Sequence, residues 1–368
     1  MSEGAPRHAA CKPLFPYPRP ELSGRIKSQP DDFRVVEQLG FEPDGDGEHL
    51  FLYLRKTGLT TPQLVDQVCR SLDVSPRQAG YSGLKDKHAV TEQWISVHLP
   101  GCSQIPHIDE TNQYQILDAR WHRRKLRVGS HRSNRFDIRV RDIGGDAHDA
   151  GLTSVGELIV QGGFANYFGD QRFGSAGDNI TQALRMLGSR HKSKRLSRHR
   201  RSLYLSAIRS ELFNRILARR IADGIWTAPM PGDVFMLEGS HSIFSEDLSE
   251  PILRRYTELD LHSALSLYGL GDSRVSKEAR AIEDAVFSAC SDLTEILQRQ
   301  QVAHAYRASR AQAHDLQLEF DHENRSMRLQ VELERGVYLT TLLGHMLDFE
   351  DGSGDGGNLD RGGLSNSG

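Results

Sequence analysis

Cysteine is scarce in this chain. Four residues, Cys11, Cys69, Cys102 and Cys290, are scattered over 368 positions with no CxxC pair. That excludes a disulfide framework and a thiolate zinc site, and a reducing cytoplasm is the compartment that fits. Long apolar runs are absent too. Nothing approaches the ~18 residues that a membrane span needs. The first 20 residues carry charges and prolines but no apolar stretch of a secretory signal. No Gly-Lys pair occurs, which removes a P-loop, and there is no HExxH or GxSxG motif. The stretch from Gly162 to Gly177 is rich in glycine but lacks the spacing of a dinucleotide loop. The 16 histidines mostly stand beside arginines without metal-ligand spacing, so no metal site is expected.

What is present is an ordinary globular balance, 38% hydrophobic and 26% charged. At roughly 150 residues per domain, the length suggests two domains with real cores. The formal net charge is −3, from 46 Lys+Arg and 49 Asp+Glu, which by itself argues against nucleic acid. Net charge averages over a surface, however, and partners meet patches. From Arg185 to Arg201 the chain carries eight Lys/Arg, two histidines and no acid; Lys192, Lys194, Arg195, Arg198, Arg200 and Arg201 are its dense part. From Arg120 to Arg141 there are nine Lys/Arg against one acid, Asp137. Either run could be a solvated face, but acid-free density of this kind suits phosphates.

Residues 1–20 read as a loose arm. Phe33 to Glu37 and His49 to Lys56 read as strands. A helix should follow, capped by Thr60 or Thr61, with Pro62 in its first turn and Leu64, Val65, Val68 and Leu72 on one face. Further strands are expected at Trp94 to Leu99 and Tyr114 to Trp121. Phe136, Ile138 and Val140 alternate with Arg135, Asp137, Arg139 and Arg141, which predicts one core face and one basic face. Helices are predicted over Leu152 to Val160, around Leu205 to Leu217, and over Glu278 to Cys290. A hairpin from Leu316 to Leu333 should turn at Glu323-Asn324. The Gly-, Ser- and Asp-rich tail 351–368 reads as disordered. Strand-rich ends around a helical middle predict an α+β protein whose middle is inserted as its own domain.

The most informative segment is Gly80-Tyr81-Ser82-Gly83-Leu84-Lys85-Asp86-Lys87-His88. A turn with two glycines sets Asp86 between lysines. The ordinary reading is a turn cap or a surface ion pair. The functional one is an ionised carboxylate held by cations and available as nucleophile or base.

This segment closely resembles the signature of the TruD family of tRNA pseudouridine synthases. So do Ile26-Lys27 through Glu37, Gly47 to Leu50, Lys56 to Thr61, Lys125 to Phe136, Asn166 to Gly174 and Leu333 to Thr341, in order over roughly residues 25 to 348. The likeness weakens at Leu261 to Gly271, where the family usually has a Gly-Pro-Leu-Trp-Gly type turn. The resemblance implies a mostly antiparallel-sheet catalytic domain, residues 21–161 and 313–348, with a second α/β domain inserted at 162–312. It implies conversion of a tRNA uridine, usually uridine 13 of glutamate tRNA, to pseudouridine without metal or cofactor. Asp86 matches the catalytic aspartate, with Lys27 and Lys85 as candidate charge partners. Phe33, Phe136 and Tyr338 match the pocket aromatics, and Asn134 the uracil-binding amide. The hydroxyl of Tyr338, where the family often has Phe, needs a partner. The basic run, Lys192, Lys194, Arg195, Arg198, Arg200 and Arg201, would grip tRNA phosphates. The expected protein is a cytoplasmic monomer, off the membrane, with tRNA as partner and no obligate protein partner. Core packing for the aromatics and a turn role for Asn134 stay open. So does a catalytically silent RNA-binding protein on the same fold. A methyltransferase would need a cofactor loop that the sequence does not contain.

Overall fold

Alternation of apolar and polar residues builds the larger sheet. The computed structural model describes residues 10–144, 149–174, 178–188 and 196–353. By its internal contacts the chain divides into two units. A sheet unit comprises Pro20–Gly156, Ala313–Gly336 and Met346–Gly368; a helical unit comprises Met1–Arg19, Glu157–Gln312 and Val337–His345. Elements of both kinds and mostly antiparallel pairing make this the expected α+β fold.

The sheet unit holds a ten-stranded sheet. Its first seven strands are β1 (Ser23–Ile26), β2 (Phe33–Leu39), β3 (His49–Lys56), β4 (Ala79–Tyr81), β5 (Val90–His98), β6 (Tyr114–His122) and β7 (His131–Gly144). The order runs His314–Asp321, Ser326–Glu334, β7, β2, β5, β3, β6; β4 adds to β5, and β1 links β7 to Asp348–Asp351. Two pairings are parallel, β2 with β5 and β1 with Asp348–Asp351. Helix α1 (Thr61–Ser71) starts at a reciprocal cap: Gln63 N donates to Thr60 Oγ1 at 3.3 Å and Thr60 N to Gln63 Oε1 at 2.9 Å. Leu64, Val65 and Val68 of α1 then bury against Leu50, Leu52 and Leu54 of β3 and Val97 of β5.

In β7 the alternation holds. Ile138 and Val140 are fully buried, while Arg135 and Arg139 are exposed. The hairpin turns as expected, with Asn324 N donating to Asp321 Oδ1 at 3.1 Å.

In the helical unit, the long helix Arg198–Ala222 packs Ala207, Ile208 and Leu212 against Ile180 and Leu187 of Asp178–Leu187 and against Leu293 and Ile296 of Ser291–Arg299. Its other flank, Phe213 and Leu217, meets Leu265 of a four-stranded sheet. Among the described residues no helix is long and apolar enough to cross a membrane.

The chain departs from the expected boundaries in three places. The arm is tied down from Cys11 onward. Cys11 N donates to the buried Glu211 carboxylate at 3.0 Å, Tyr17 Oη to Gly163 O at 2.9 Å and Arg19 to Gly344 O at 2.9 Å. Phe15 and Tyr17 supply the aromatic surface that anchors it, against His345 and Trp226. Val337–His345, expected with the sheet, belongs to the helical unit. Asp351, expected in the tail, ends a strand; residues 354–368 lie outside the described residues.

Candidate active site

Register places the candidate residues. In β2 and β7, Phe33 pairs with Ile138, Val35 with Phe136 and Glu37 with Asn134. Val35 also pairs with Thr91 of β5, and Thr91 with Lys56 of β3. Paired residues share a face, so Phe33, Glu37, Asn134, Phe136 and Lys56 project from one side of the sheet. The opposite side carries Arg34, Arg135 and Arg139.

The loop with Asp86 lies against this face through several separate contacts. Lys56, fully buried, donates its Nζ to the main-chain oxygen of Asp86 at 2.7 Å. The main-chain nitrogen of Lys85 donates to Thr61 Oγ1 at 2.9 Å, and Gly58 N to Lys87 O at 3.1 Å. Gly80 must be glycine, because a Cβ there would stand 2.3 Å from the carbonyl oxygen of Leu126. The loop is thus held through its backbone; Asp86 Oδ1 accepts from His88 N at 3.0 Å, and Oδ2 is left for a partner outside the loop.

That partner is Lys27. Its Nζ donates to Asp86 Oδ2 at 2.6 Å and to Asp351 Oδ2 at 2.9 Å, with the lysine side chain buried and both carboxylates partly open. Lys27 takes the left-handed backbone region, φ 55°, unusual for a side-chain-bearing residue and typical of constrained sites. Burial acts to raise the Asp86 carboxyl. The hydrogen bond and charge of Lys27 and the His88 N–H outweigh it, and the group is held below its ordinary value. Burial acts to lower Lys27, yet its two carboxylates raise it. Burial pushes Lys56 down to about 8.

The ammonium of Lys27 lies 4.9 Å from the ring centroid of Phe33, and Phe33 meets Phe136 edge to face at 6.4 Å. Phe33 is buried and Phe136 half-buried. The Oδ1 of Asn134 is buried and accepts no hydrogen bond among the described residues. Asp86, Lys27, Phe33, Phe136 and Asn134 are therefore all set on or against one face of the sheet.

Lys85 is not a charge partner of Asp86. Its Nζ donates to Glu37 Oε2 at 2.5 Å, both side chains buried. Adjacent residues in this turn point apart, so the sequence neighbour faces the sheet and the distant Lys27 meets Asp86. Tyr338 lies in the helical unit, where its hydroxyl accepts from Arg172 at 2.8 Å and its ring meets Phe168 edge to face at 6.3 Å. Arg198, Arg200 and Arg201 are exposed on the first turn of the long helix, which contains no acid. Lys192, Lys194 and Arg195 lie outside the described residues. Sequence reasoning missed Asp351, Lys56 and Glu37. Asp351 stood in a stretch read as tail, and the other two read as ordinary strand residues. No group of three His, Cys, Asp or Glu side chains among the described residues is arranged to hold a metal.

A family model described as tRNA pseudouridine synthase D (TruD) matches residues 14–184 and 177–346. A curated tRNA pseudouridine synthase D of Methylococcus capsulatus is 41% identical over 349 residues, 93% of this chain and 97% of that protein. One of Xanthomonas axonopodis is 37% identical over 349 residues, 90% of this chain and 93% of that protein. A solved Methanosarcina mazei chain named for the same family has a TM-score of 0.69 at 20% identity, covering 90% of this chain and 95% of that one. That last likeness speaks for the fold.

Proposed function

The chain belongs to the TruD family of tRNA pseudouridine synthases, and from that premise we propose that it isomerises a uridine of tRNA, uridine 13 of glutamate tRNA, to pseudouridine with Asp86 as the catalytic carboxylate. One observation carries this reading. An ionised Asp86 sits 2.6 Å from a buried lysine whose ammonium lies over Phe33, and Phe33 in turn touches Phe136.

The chemistry follows from those groups. A base inside a stack cannot react, so the uridine is extruded and its ring held. Phe33 and Phe136 offer stacking surface, at about 1–3 kcal/mol per base. The Asn134 oxygen, unpartnered among the described residues, suits the N3–H of uracil, and the amide nitrogen suits a ring carbonyl. Asp86 attacks C1′ of the sugar, or takes a proton that it later returns, as the bond from C1′ to N1 breaks, and the uracil turns; any bond from Asp86 to C1′ breaks when C5 attacks that carbon. A bond from C1′ to C5 then forms, C5 gives up its proton and N1 gains one. Product and substrate have the same atoms, so no cofactor is consumed. Tyr338 carries over as a pocket aromatic by family likeness alone. In this reading the sheet unit is the catalytic domain and the helical unit the inserted one. Arg198, Arg200 and Arg201, with Lys192, Lys194 and Arg195 before them, meet tRNA phosphates, and the enzyme works as a monomer in the cytoplasm.

The test is Asp86→Asn, incubated with bulk tRNA and no cofactor and read by chemical labelling or nucleoside chromatography, since the reaction is mass-neutral. The expected result is no pseudouridine and unimpaired tRNA binding. Turnover at the wild-type rate would remove Asp86 from the chemistry. A wild-type chain that binds tRNA but never turns over would establish the silent RNA-binding protein instead.

A further inference from the structure

Guanidinium groups are costly to desolvate and are buried beside carboxylates as a rule. The helical unit follows the rule at Arg220, paired with Asp233 at 2.5 Å, and at Arg215, paired with Glu211 at 2.6 Å. It departs from it at Arg310, which donates to the carbonyls of Tyr256 and Leu261 and to His262 Nδ1, and again at Arg172 and Arg209. Arg172 donates to two neutral oxygens, Ser206 Oγ and Tyr338 Oη, each at 2.8 Å. Arg209 donates to the carbonyl of Leu267 at 3.2 Å. Neither makes an ion pair among the described residues. Arg307 donates to the main-chain oxygen of Asn166 at 3.1 Å and to that residue's amide oxygen.

Helix spacing and shared neighbours link these side chains. Ser206, Arg209 and Phe213 are spaced i, i+3, i+7 on the helix Arg198–Ala222 and share a face. Arg172 reaches the first of them, and Arg307 stands 5.8 Å from the ring of the last. Arg172 and Arg307 also flank one ring, at 5.4 and 4.3 Å from the centroid of Phe168. The Nε atoms of Arg172 and Arg209 are buried without a partner among the described residues, and so is His304 Nε2. Burial lowers Arg209, and burial lowers Arg307 to about 10, with the charge of Arg172 adding to the effect. Burial, with Arg209 and Arg280 nearby, also keeps His304 below its ordinary value. The result is a desolvated group of cations in which the Nε donors of Arg172 and Arg209 are unused among the described residues.

We propose that Arg172, Arg209 and Arg307 form a binding site for one backbone phosphate of the RNA, with Ser206 and His304 as neutral neighbours. The ligand's identity as RNA rests on the tRNA reading above; the anion chemistry does not. Such a site differs from the exposed arginines at the helix start. Planar forks held by packing bind one phosphate in one place, whereas solvated side chains supply diffuse attraction.

Arg209→Gln in the full chain tests this with two probes, inorganic phosphate and bulk tRNA. Wild-type protein should melt higher in phosphate than in chloride of equal ionic strength, and the variant should lose that gain. The variant should bind tRNA about tenfold more weakly, the order expected for hydrogen bonds to a charged partner. Its log–log salt slope should fall by roughly 0.7 to 0.9. Without phosphate it should melt no lower than wild type, because an uncompensated buried charge has gone. Arg172→Gln, read the same way, serves if the first variant folds poorly. A phosphate gain that survives both substitutions would overturn the site. Loss of that gain with an unchanged tRNA slope would assign the site to a free anion and overturn its RNA role. Wild-type protein that gains from phosphate but neither binds nor isomerises tRNA would sink the tRNA reading and leave the anion site standing.

Discussion

Two lysines at the candidate site contact the same aspartate and do opposite things. Lys27 sets the charge on Asp86, and Lys56 sets its position. The held-down carboxyl of Asp86 contributes stability above its ordinary value of ~3.9 and loses it as pH falls through the lower folded value. Activity should therefore stay level from neutrality into the ordinary carboxylate range. The raised Lys27 behaves in mirror image: its contribution is complete below ~10.4 and is lost as pH rises through the folded value. In Lys27→Met, burial acts on Asp86 unopposed by that cation. The acid limb of the single-turnover rate should then move to higher pH. A limb that stays in place would mean that Lys27 does not govern the carboxyl.

Lys56 carries the reverse sign. Its folded value near 8 lies below the unfolded one, so it destabilises at neutral pH and is relieved as pH rises. The shift corresponds to about 3 kcal/mol. Lys56→Met should thus fold at least as stably as wild type, yet turn over more slowly with the Asp86 carbonyl released. Thermal melts beside single-turnover rates check both halves. Asp86 was legible from its motif. Its partner was not, because the choice between Lys27 and Lys85 depends on which way each side chain leaves a turn.

At the scale of elements, one alternation in β7 carries both a core residue and a half-open residue of the candidate site. Ile138 is fully buried, whereas Phe136, two residues away on the same face, is half-buried. Ile138→Ala should cost about 2–5 kcal/mol of stability. Phe136→Ala should leave the melting temperature much nearer wild type while lowering the single-turnover rate by on the order of 100-fold, since a loosely held base is misaligned with Asp86. If the rate recovers once unfolded protein is corrected for, the ring is core and nothing more. The pattern in β7 was readable because period 2 survives in any strand with one buried face. The parallel pairing of β2 with β5 was not, since nothing local distinguishes it from the antiparallel pairings around it.

For the whole molecule, a net charge of −3 conceals where the cations lie. Arg198, Arg200 and Arg201 crowd the first turn of a long helix, where the helix dipole disfavours cations and the turn itself contains no acid. Replacing all three with Gln should lower tRNA affinity and reduce the salt slope by roughly 0.7 to 0.9 for each phosphate left unneutralised. Helix stability should hold or rise slightly. An unchanged slope would make these arginines a solvated face. Features that depend on neighbours in the chain could be read directly from it: the scarcity of cysteine, the alternation in β7, the capped helix α1, the acid-free run and the motif around Asp86. Folding settled what depends on residues far apart. It joined Lys27 to an aspartate 324 positions away, turned Lys85 toward Glu37, anchored the arm and moved Val337–His345 into the helical unit. The physical reason is that periodicity and capping act over a few residues. Ion pairs and burial are settled by whichever groups folding brings within a few ångströms, and that distance is not written in the spacing along the chain.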